Sequence, residues 1–360
     1  MSVPQFELSE RHKERFVPQI PILPQGRFVS LILIRESMSN AIFTTEGDIL
    51  DTERVQAGLN GSPAIDRVIM FKRKQIAPER RTGKALLRQV GAFPFAVPGS
   101  AKGKKGEKTV KECYLLEGMC GYCPDCVLYG YAAVEGQGAR KSRVLTDSAF
   151  SVRPYQAIQE HKKFNAINDD SMTSHTINEL DHLRPQVFLP TIETCVDVTA
   201  GEFLYILGNI LKTTRYGKEV SRGGRLRNHL VGIAFSDVEL FSNLEFSQAF
   251  YEALSAEGSG AALSDGYLSL ADFLRHLPGV LETLLRGVYG SITLVTGEEI
   301  SPKNASRVRW EEGLARFKED LSDFWADEAR VKAFLIALTR DATQFAAKAP
   351  TGEAEEEEGT

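Results

Sequence analysis

Residues 189–240, LPTIETCVDVTAGEFLYILGNILKTTRYGKEVSRGGRLRNHLVGIAFSDVEL, decide the architecture because they read in succession as strand, helix, basic turn and strand. Ile192, Thr194, Val196 and Val198 alternate at the two-residue period of a strand. Next, Phe203, Leu204, Leu207, Ile210 and Leu211 fall on one helical face. The glycine-punctuated turn TRYGKEVSRGGRLRN leads into HLVGIAFSDVEL, which returns as a strand. Strand, helix, loop and strand in this order make half of a βαββαβ ferredoxin-like unit. The other half is expected upstream, where GRFVSLILIRES carries Phe28, Val29, Leu31, Ile32, Leu33 and Ile34 as a buried first strand. The predicted fold class is therefore α+β, with one ferredoxin-like core split by insertions.

Outward from that core, residues 1–26 are punctuated by Pro18, Pro21 and Pro24 and read as an extended N-terminal arm. Residues 37–62 read as a loop-rich connection, IDRVIMFKRKQI as a strand and PERRTGKALLRQVG as a helix. The stretch SAKGKKGEKTVKE has almost nothing to bury and reads as a mobile loop, either simply solvated or in contact with phosphate. Val144, Leu145, Ala149, Phe150 and Val152 predict one further strand. Residues 153–184 are polar, carry His161, His175 and His182, and predict a projecting hairpin or lobe. Beyond Asn243, apolar residues such as Leu321, Phe324, Val331, Phe334, Leu335 and Leu338 recur at helical spacing. The expected boundaries are an arm at 1–26, a split core at 27–243, a helical region packed on it at 244–348, and a disordered acidic tail at 349–360. Within the core lie a basic, cysteine-bearing insertion at about 67–131 and a hairpin at about 153–185.

At 360 residues the chain can form two domains or one elaborated one. No apolar run approaches the roughly 20 residues of a membrane span, and the N-terminus lacks the apolar segment of a signal peptide. The expected compartment is the cytoplasm, where thiols stay reduced. The formal net charge of -5 is accounted for by the five glutamates of the tail TGEAEEEEGT. Within the rest, residues 67–111 hold 13 Lys/Arg against Glu79 and Glu107, and residues 212–229 hold six against Glu219. Such blocks are the footprint of a polyanion binder.

Cys113, Cys120, Cys123 and Cys126 hold four of the five cysteines at spacing C-x6-C-x2-C-x2-C. Each x2 step lets two sulfurs converge on one ion, and four thiolates close the tetrahedral shell of structural zinc. The C-x2-C-x2-C run also resembles iron–sulfur ligation, although the fourth thiolate lies upstream rather than three residues downstream, and reduced structural thiols without a metal are the remaining alternative. A complete thiolate shell leaves no open position for catalysis. Cys195, alone in a predicted strand, reads as a core thiol. Arg67, Lys72, Arg73, Lys74, Arg80, Arg81, Lys84 and Arg88 could track a nucleic-acid backbone or form a solvated face. Phe71 reads equally as core or as a platform for a base. A second basic site comprises Arg215, Tyr216, Gly217, Arg222, Gly223, Gly224, Arg225 and Arg227: glycines for close backbone approach, arginines for phosphate, Tyr216 for stacking. Its plainer alternative is a solvated turn.

Together, the CPDCVLYG cluster, the ARKSRVLTDSAFSV strand, the polar hairpin and TTRYGKEVSRGGRLRNHLVGIAFSD resemble the large backbone subunits of CRISPR effector complexes in the RAMP superfamily. The type I-D backbone subunit is the nearest likeness, over about Gly26 to Glu239. This resemblance implies an RNA-recognition-like palm, a zinc-bearing lobe and a thumb hairpin. It further implies copies joined head to tail along one CRISPR RNA (crRNA), beside other effector subunits, presenting the guide to target DNA or RNA in antiviral defence. On that likeness Tyr216 to Arg227 hold the guide, while Lys72, Arg73, Lys74, Arg80 and Arg81 line its groove. Relatives that cut RNA use an acid in the loop after the first strand, where this chain offers Glu36, Glu46, Asp48 and Asp51. No compact constellation of acids is visible. A non-catalytic scaffold is the favoured expectation; the alternative is a backbone nuclease cutting bound single-stranded target at regular spacing. A zinc-containing metabolic enzyme is disfavoured, because no cofactor loop or nucleophile triad accompanies the cysteines.

Overall fold

The computed structural model describes residues 4, 6–97, 108–114, 118–132, 138–167, 173–256, 263–297 and 308–349. Most of SAKGKKGEKTVKE, and the acidic tail after Ala349, lie outside the described residues. The fold is mixed α+β. Its strands are β1 (Phe28–Ser37), β2 (Thr52–Gln56), β3 (Ala64–Met70), β4 (Phe95–Val97), β5 (Lys108–Val110), β6 (Val144–Leu145), β7 (Ala149–Pro154), β8 (Gln159–Ile167), β9 (Thr173–Leu183), β10 (Phe188–Val196), β11 (Leu226–Ser236), β12 (Ile292–Thr296) and β13 (Val308–Glu312).

The main sheet runs β13-β12-β11-β1-β10-β6. Central β1 pairs antiparallel with β10 and β11, so that Leu33 lies opposite Thr191 on one side and Leu230 on the other. Both faces of β1 are covered, which is why its sequence reads as a continuous apolar run. Leu31 and Leu33 point into a core made with the helices Ala200–Lys212, Leu314–Ala326 and Glu328–Lys348. Ile32 and Ile34 point the opposite way, into a core shared with Asn243–Ala256 and Leu270–Leu285. Thr199 and Glu202 start the helix Ala200–Lys212 with a reciprocal capping box, Glu202 N–H donating to Thr199 Oγ1 at 3.1 Å.

Several sequence expectations are corrected. The segment expected as an extended arm contains the short helix Glu7–Arg11, and Phe6, Leu8 and Phe16 enter the main core. Here, burial of three apolar side chains outweighs the proline-rich composition that follows them. The basic helix begins at Lys72 rather than Pro78, with the preceding strand ending at Met70. Pro78 thus lies inside the helix, where its missing N–H leaves one turn without its bond. Gly91, at φ +71°, ends this helix, and the Gly91 and Ala92 N–H groups donate back to Arg88 and Leu87. Residues 144–152 divide between β6 of the main sheet and β7, which joins β2 and β3 in a second sheet. The region beyond Asn243 is not wholly helical, since β12 and the parallel β13 extend the main sheet. The polar segment forms the antiparallel hairpin β8-β9, beginning at Gln159. Among the described residues, no helix is long and apolar enough to cross a membrane.

Candidate functional site

The Cys113, Cys120, Cys123 and Cys126 sulfurs all lie within 4.8 Å of one another. Cys113 Sγ is 3.5 Å from Cys126 Sγ, and Cys120 Sγ is 3.8 Å from Cys126 Sγ. These separations are far longer than the roughly 2.05 Å of a disulfide. They match the edge of about 3.8 Å of a tetrahedron built on zinc–sulfur bonds of about 2.3 Å. The Tyr122 and Cys123 N–H groups donate to Cys120 Sγ at 3.4 and 3.3 Å, bonds that favour a thiolate. Four thiolates this close cannot share their charge without a cation. Hydrogen bonds from Cys120 and its neighbours hold the Cys113 thiol low, whereas those with Cys113 push Cys123 and Cys126 up. The donor set and spacing fit one tetrahedral metal ion.

Pro124–Tyr129 forms a short helix capped by Cys123. Its Asp125 is buried and accepts two bonds from Arg80, Nε at 2.9 Å and Nη2 at 2.8 Å, with Lys84 Nζ at 3.3 Å. The cysteine lobe is therefore bolted to the basic helix through charges that the sequence reading gave to nucleic acid. Arg88 is likewise taken by Glu112, at 3.0 and 3.1 Å. Arg67 is buried outright: its guanidinium donates to the Ser151, Val152 and Ala57 carbonyls, and desolvation lowers its pKa to about 10. It fastens β3 to β7 rather than facing a polyanion. Lys72, Arg73 and Arg81 remain exposed and form no ion pair among the described residues.

The second basic segment returns alongside the first. Lys218 bridges to Ile42, while Arg215 and Arg225 face each other across the turn. Lys74, partly buried at the start of the helix, has its pKa lowered by desolvation and by the like charges of Arg73 and Lys218, against the opposing pull of Asp51. Two cationic stretches roughly 140 residues apart in sequence thus press on one another. Arg225 and Arg227 are exposed and without an ion pair among the described residues; Arg222 is exposed too. Arg215 donates to the Gly223 carbonyl at 2.8 Å.

Two expectations for this turn are corrected. Its glycines serve close approach within the protein: a Cβ on Gly223 would meet the Asn40 carbonyl at 2.4 Å, and one on Gly224, at φ +73°, the Tyr216 carbonyl at 2.2 Å. Tyr216 is fully enclosed and has no face to offer a base. Its hydroxyl donates to Glu79 at 3.0 Å and accepts from Asn228 at 2.8 Å. The group they join is a buried charge network unforeseen from sequence. Arg35 donates to Glu79 at 2.8 Å, to Asn228 at 3.0 Å and to Glu193 at 3.4 Å, and all three charged groups are fully buried. One cation serves two carboxylates, and desolvation holds both carboxyls above their ordinary range. A signal existed in each case: an arginine closing LILI, and a lone glutamate amid the cations of the basic helix.

The four candidate acids do not converge. Glu36 lies on β1 and binds His229 Nε2 at 2.8 Å. Glu46 is exposed, Asp48 lies 3.9 Å from Lys218, and Asp51 accepts from Thr45 at 2.9 Å. The cysteine quartet is the group of three or more metal-ligating side chains drawn together among the described residues. Of the histidines, His161 is exposed and His182 is buried against the Leu180 carbonyl; the His175 side chain is outside the described residues. Cys195 is a buried core thiol, as its position in a strand implied.

Fold and site together define a mixed α+β protein whose four-thiolate lobe is docked on a basic helix. A family model described as Csc2 Crispr matches residues 15–271, and the chain belongs to this Csc2 CRISPR family. No curated protein matches it. The crystal structure of Thermofilum pendens Csc2 is similar with a TM-score of 0.51 at 16% identity, over 95% of this chain and 94% of that one. A chain of a CRISPR RNA-guided surveillance complex, pre-nicking, has a TM-score of 0.51 at 14% identity, over 82% of this chain and 99% of that one. At such identities the likeness is one of fold.

Proposed function

We propose that this chain is a crRNA-binding backbone subunit of a type I-D CRISPR interference complex in the cytoplasm. Copies of it lie head to tail on the guide, beside other effector subunits, and present it to target DNA or RNA. Membership of the Csc2 CRISPR family supports the CRISPR role. The observation that carries the RNA-binding role is the pair of exposed cations Lys72 and Arg73 at the start of the helix, beside Lys74, whose pKa is lowered chiefly by desolvation and then by the like charges of Arg73 and Lys218. Asp48 and Asp51 offset part of this positive charge, and the exposed cations beyond them suit a polyanion.

A ferredoxin-like palm is supported by the order β11-β1-β10-β6, all antiparallel, with the helices Lys72–Gln89 and Ala200–Lys212 as the two crossovers. The β8-β9 hairpin is the proposed thumb. In the cysteine lobe the ion is a structural zinc, because four sulfurs fill its shell. The scaffold reading, without phosphodiester chemistry, fits acids that are dispersed or already paired.

Single-stranded RNA affinity is expected to fall steeply with salt, the logarithmic slope losing about 0.7 for each phosphate-contacting charge removed. Lys72→Ala, Arg73→Ala and Arg225→Ala should each reduce that slope. Arg275→Ala, in the layer on the opposite sheet face, should leave it unchanged. Titrations between low and physiological salt check this, and a slope indifferent to all three substitutions contradicts the proposed face.

A further inference from the structure

We propose that a groove at the start of the helix Lys72–Gln89 takes one unstacked nucleobase of the bound strand, laid against Phe71 with its phosphates on Lys72 and Arg73. This rests on the RNA-binding reading and adds a base-contacting site to it. The groove has a volume of about 660 Å³, within the range of about 300–1,000 Å³ typical of small-ligand sites. Its wall is apolar, formed by Phe71, Ile76, Ala77 and Tyr129. Tyr129 and Ile76 are buried, whereas Phe71 is half-buried and keeps surface open to a ligand.

Charge complementarity selects the occupant. Lys72 and Arg73 line the groove, are exposed and form no salt bridge among the described residues, although Lys72 also acts on the buried Glu193. No acidic residue occupies the first turn of this helix to oppose an anion. Arg80, also lining the groove, is held by Asp125 and lies 5.5 Å from the Tyr129 ring, so it shapes the wall. An apolar wall beside two exposed cations suits a group with a flat π-face and an attached negative charge, which is a nucleotide. Stacking on one aromatic side chain is tolerant of sequence, as a guide of variable sequence requires.

The test compares the full-length chain and its variants for binding to a labelled oligouridylate and to a ribose–phosphate strand of equal length without bases. Wild type is expected to prefer the base-bearing strand, and Phe71→Ala to reduce that preference by roughly 5- to 150-fold. Phe71→Trp should restore it, with its fluorescence quenched on binding, which separates stacking from a folding defect. Lys72→Ala and Arg73→Ala should weaken both strands alike. Equal wild-type affinity for the two strands, or a Phe71→Ala preference equal to wild type, overturns the base site and leaves RNA binding standing. A wild-type chain that binds neither strand overturns both.

Discussion

Replacing Cys123 with serine is expected to abolish binding of one metal ion, zinc on the proposed reading, and to unfold the described part of the cysteine lobe, residues 113–114 and 118–131. The four sulfurs sit at tetrahedral spacing, and the short helix Pro124–Tyr129 begins on Cys123 itself. The lobe's own apolar cluster is largely its cysteines with Phe93, Phe95, Met119 and Tyr131 against them, while its helix is anchored on the rest of the protein through Val127, Leu128 and Tyr129. Binding free energies of about 10–16 kcal/mol for structural zinc become folding energy in such a segment. The damage should also travel. Asp125 would no longer be held against Arg80 and Lys84, and Val127 would leave Ala342 and Ala346 of the last helix. Hydrogen exchange should therefore quicken in 72–89 and 328–348 as well as in the lobe, with the same pattern after chelation of the wild-type chain. Cys195→Ala, in the sheet core, should keep its zinc. A wild-type chain that purifies without stoichiometric metal, and that chelators leave unchanged, contradicts this account of the lobe.

Arg35→Met is expected to destabilise the fold by about 3–5 kcal/mol at neutral pH, because it leaves Glu79 and Glu193 buried without their cation. Glu79 Oε2 and Glu193 Oε1 already lack hydrogen-bond partners, and what remains without Arg35 is the Tyr216 hydroxyl on Glu79 and the more distant charge of Lys72 on Glu193. The pH dependence follows from the direction of the carboxyl shifts. Desolvation raises both pKa values, and Arg35 opposes it. A carboxyl raised in the folded state keeps its full stability below its unfolded pKa and loses it as pH rises through the folded one. Removing Arg35 raises both carboxyls further. The deficit relative to wild type should therefore be small near pH 4 and grow as pH rises through the raised carboxyl pKa values. Urea unfolding of the two proteins at acidic and mildly alkaline pH measures it, and a deficit independent of pH would refute the buried-network account.

The parts legible in the sequence are those whose signal is local. The spacing of the four cysteines pointed to one ion because x2 steps bring sulfurs together whatever the surrounding fold. LILI in β1 announced a central strand, because residue type there follows the two buried faces, and the alternation through Ile192 and Val196 marked its partner β10 although Thr191 and Glu193 are buried there too. Partner choice was not legible. Arg80, Lys84 and Arg88 look like Lys72 and Arg73 in sequence, yet Asp125 and Glu112, 24 to 45 residues away, claim them. Asp125 inside CPDC was the available clue, since an acid beside thiolates is unfavourable without a cation to hold it. Tyr216 was misread for a similar reason: RYG among arginines suggests a surface, but its hydroxyl completes a buried network that reaches Arg35, 181 residues away. ITLVT, the β12 run, carried a strand signal that the helical periodicity on both sides obscured.

Direct competition between single-stranded RNA and duplex DNA of the same sequence and length, for the purified full-length chain at physiological salt, tests the central claim most directly. The account predicts clear preference for the single strand, diminished when Lys72, Arg73 and Arg225 are replaced together by alanine. Equal affinity for the two nucleic acids, or no affinity for either, would contradict it.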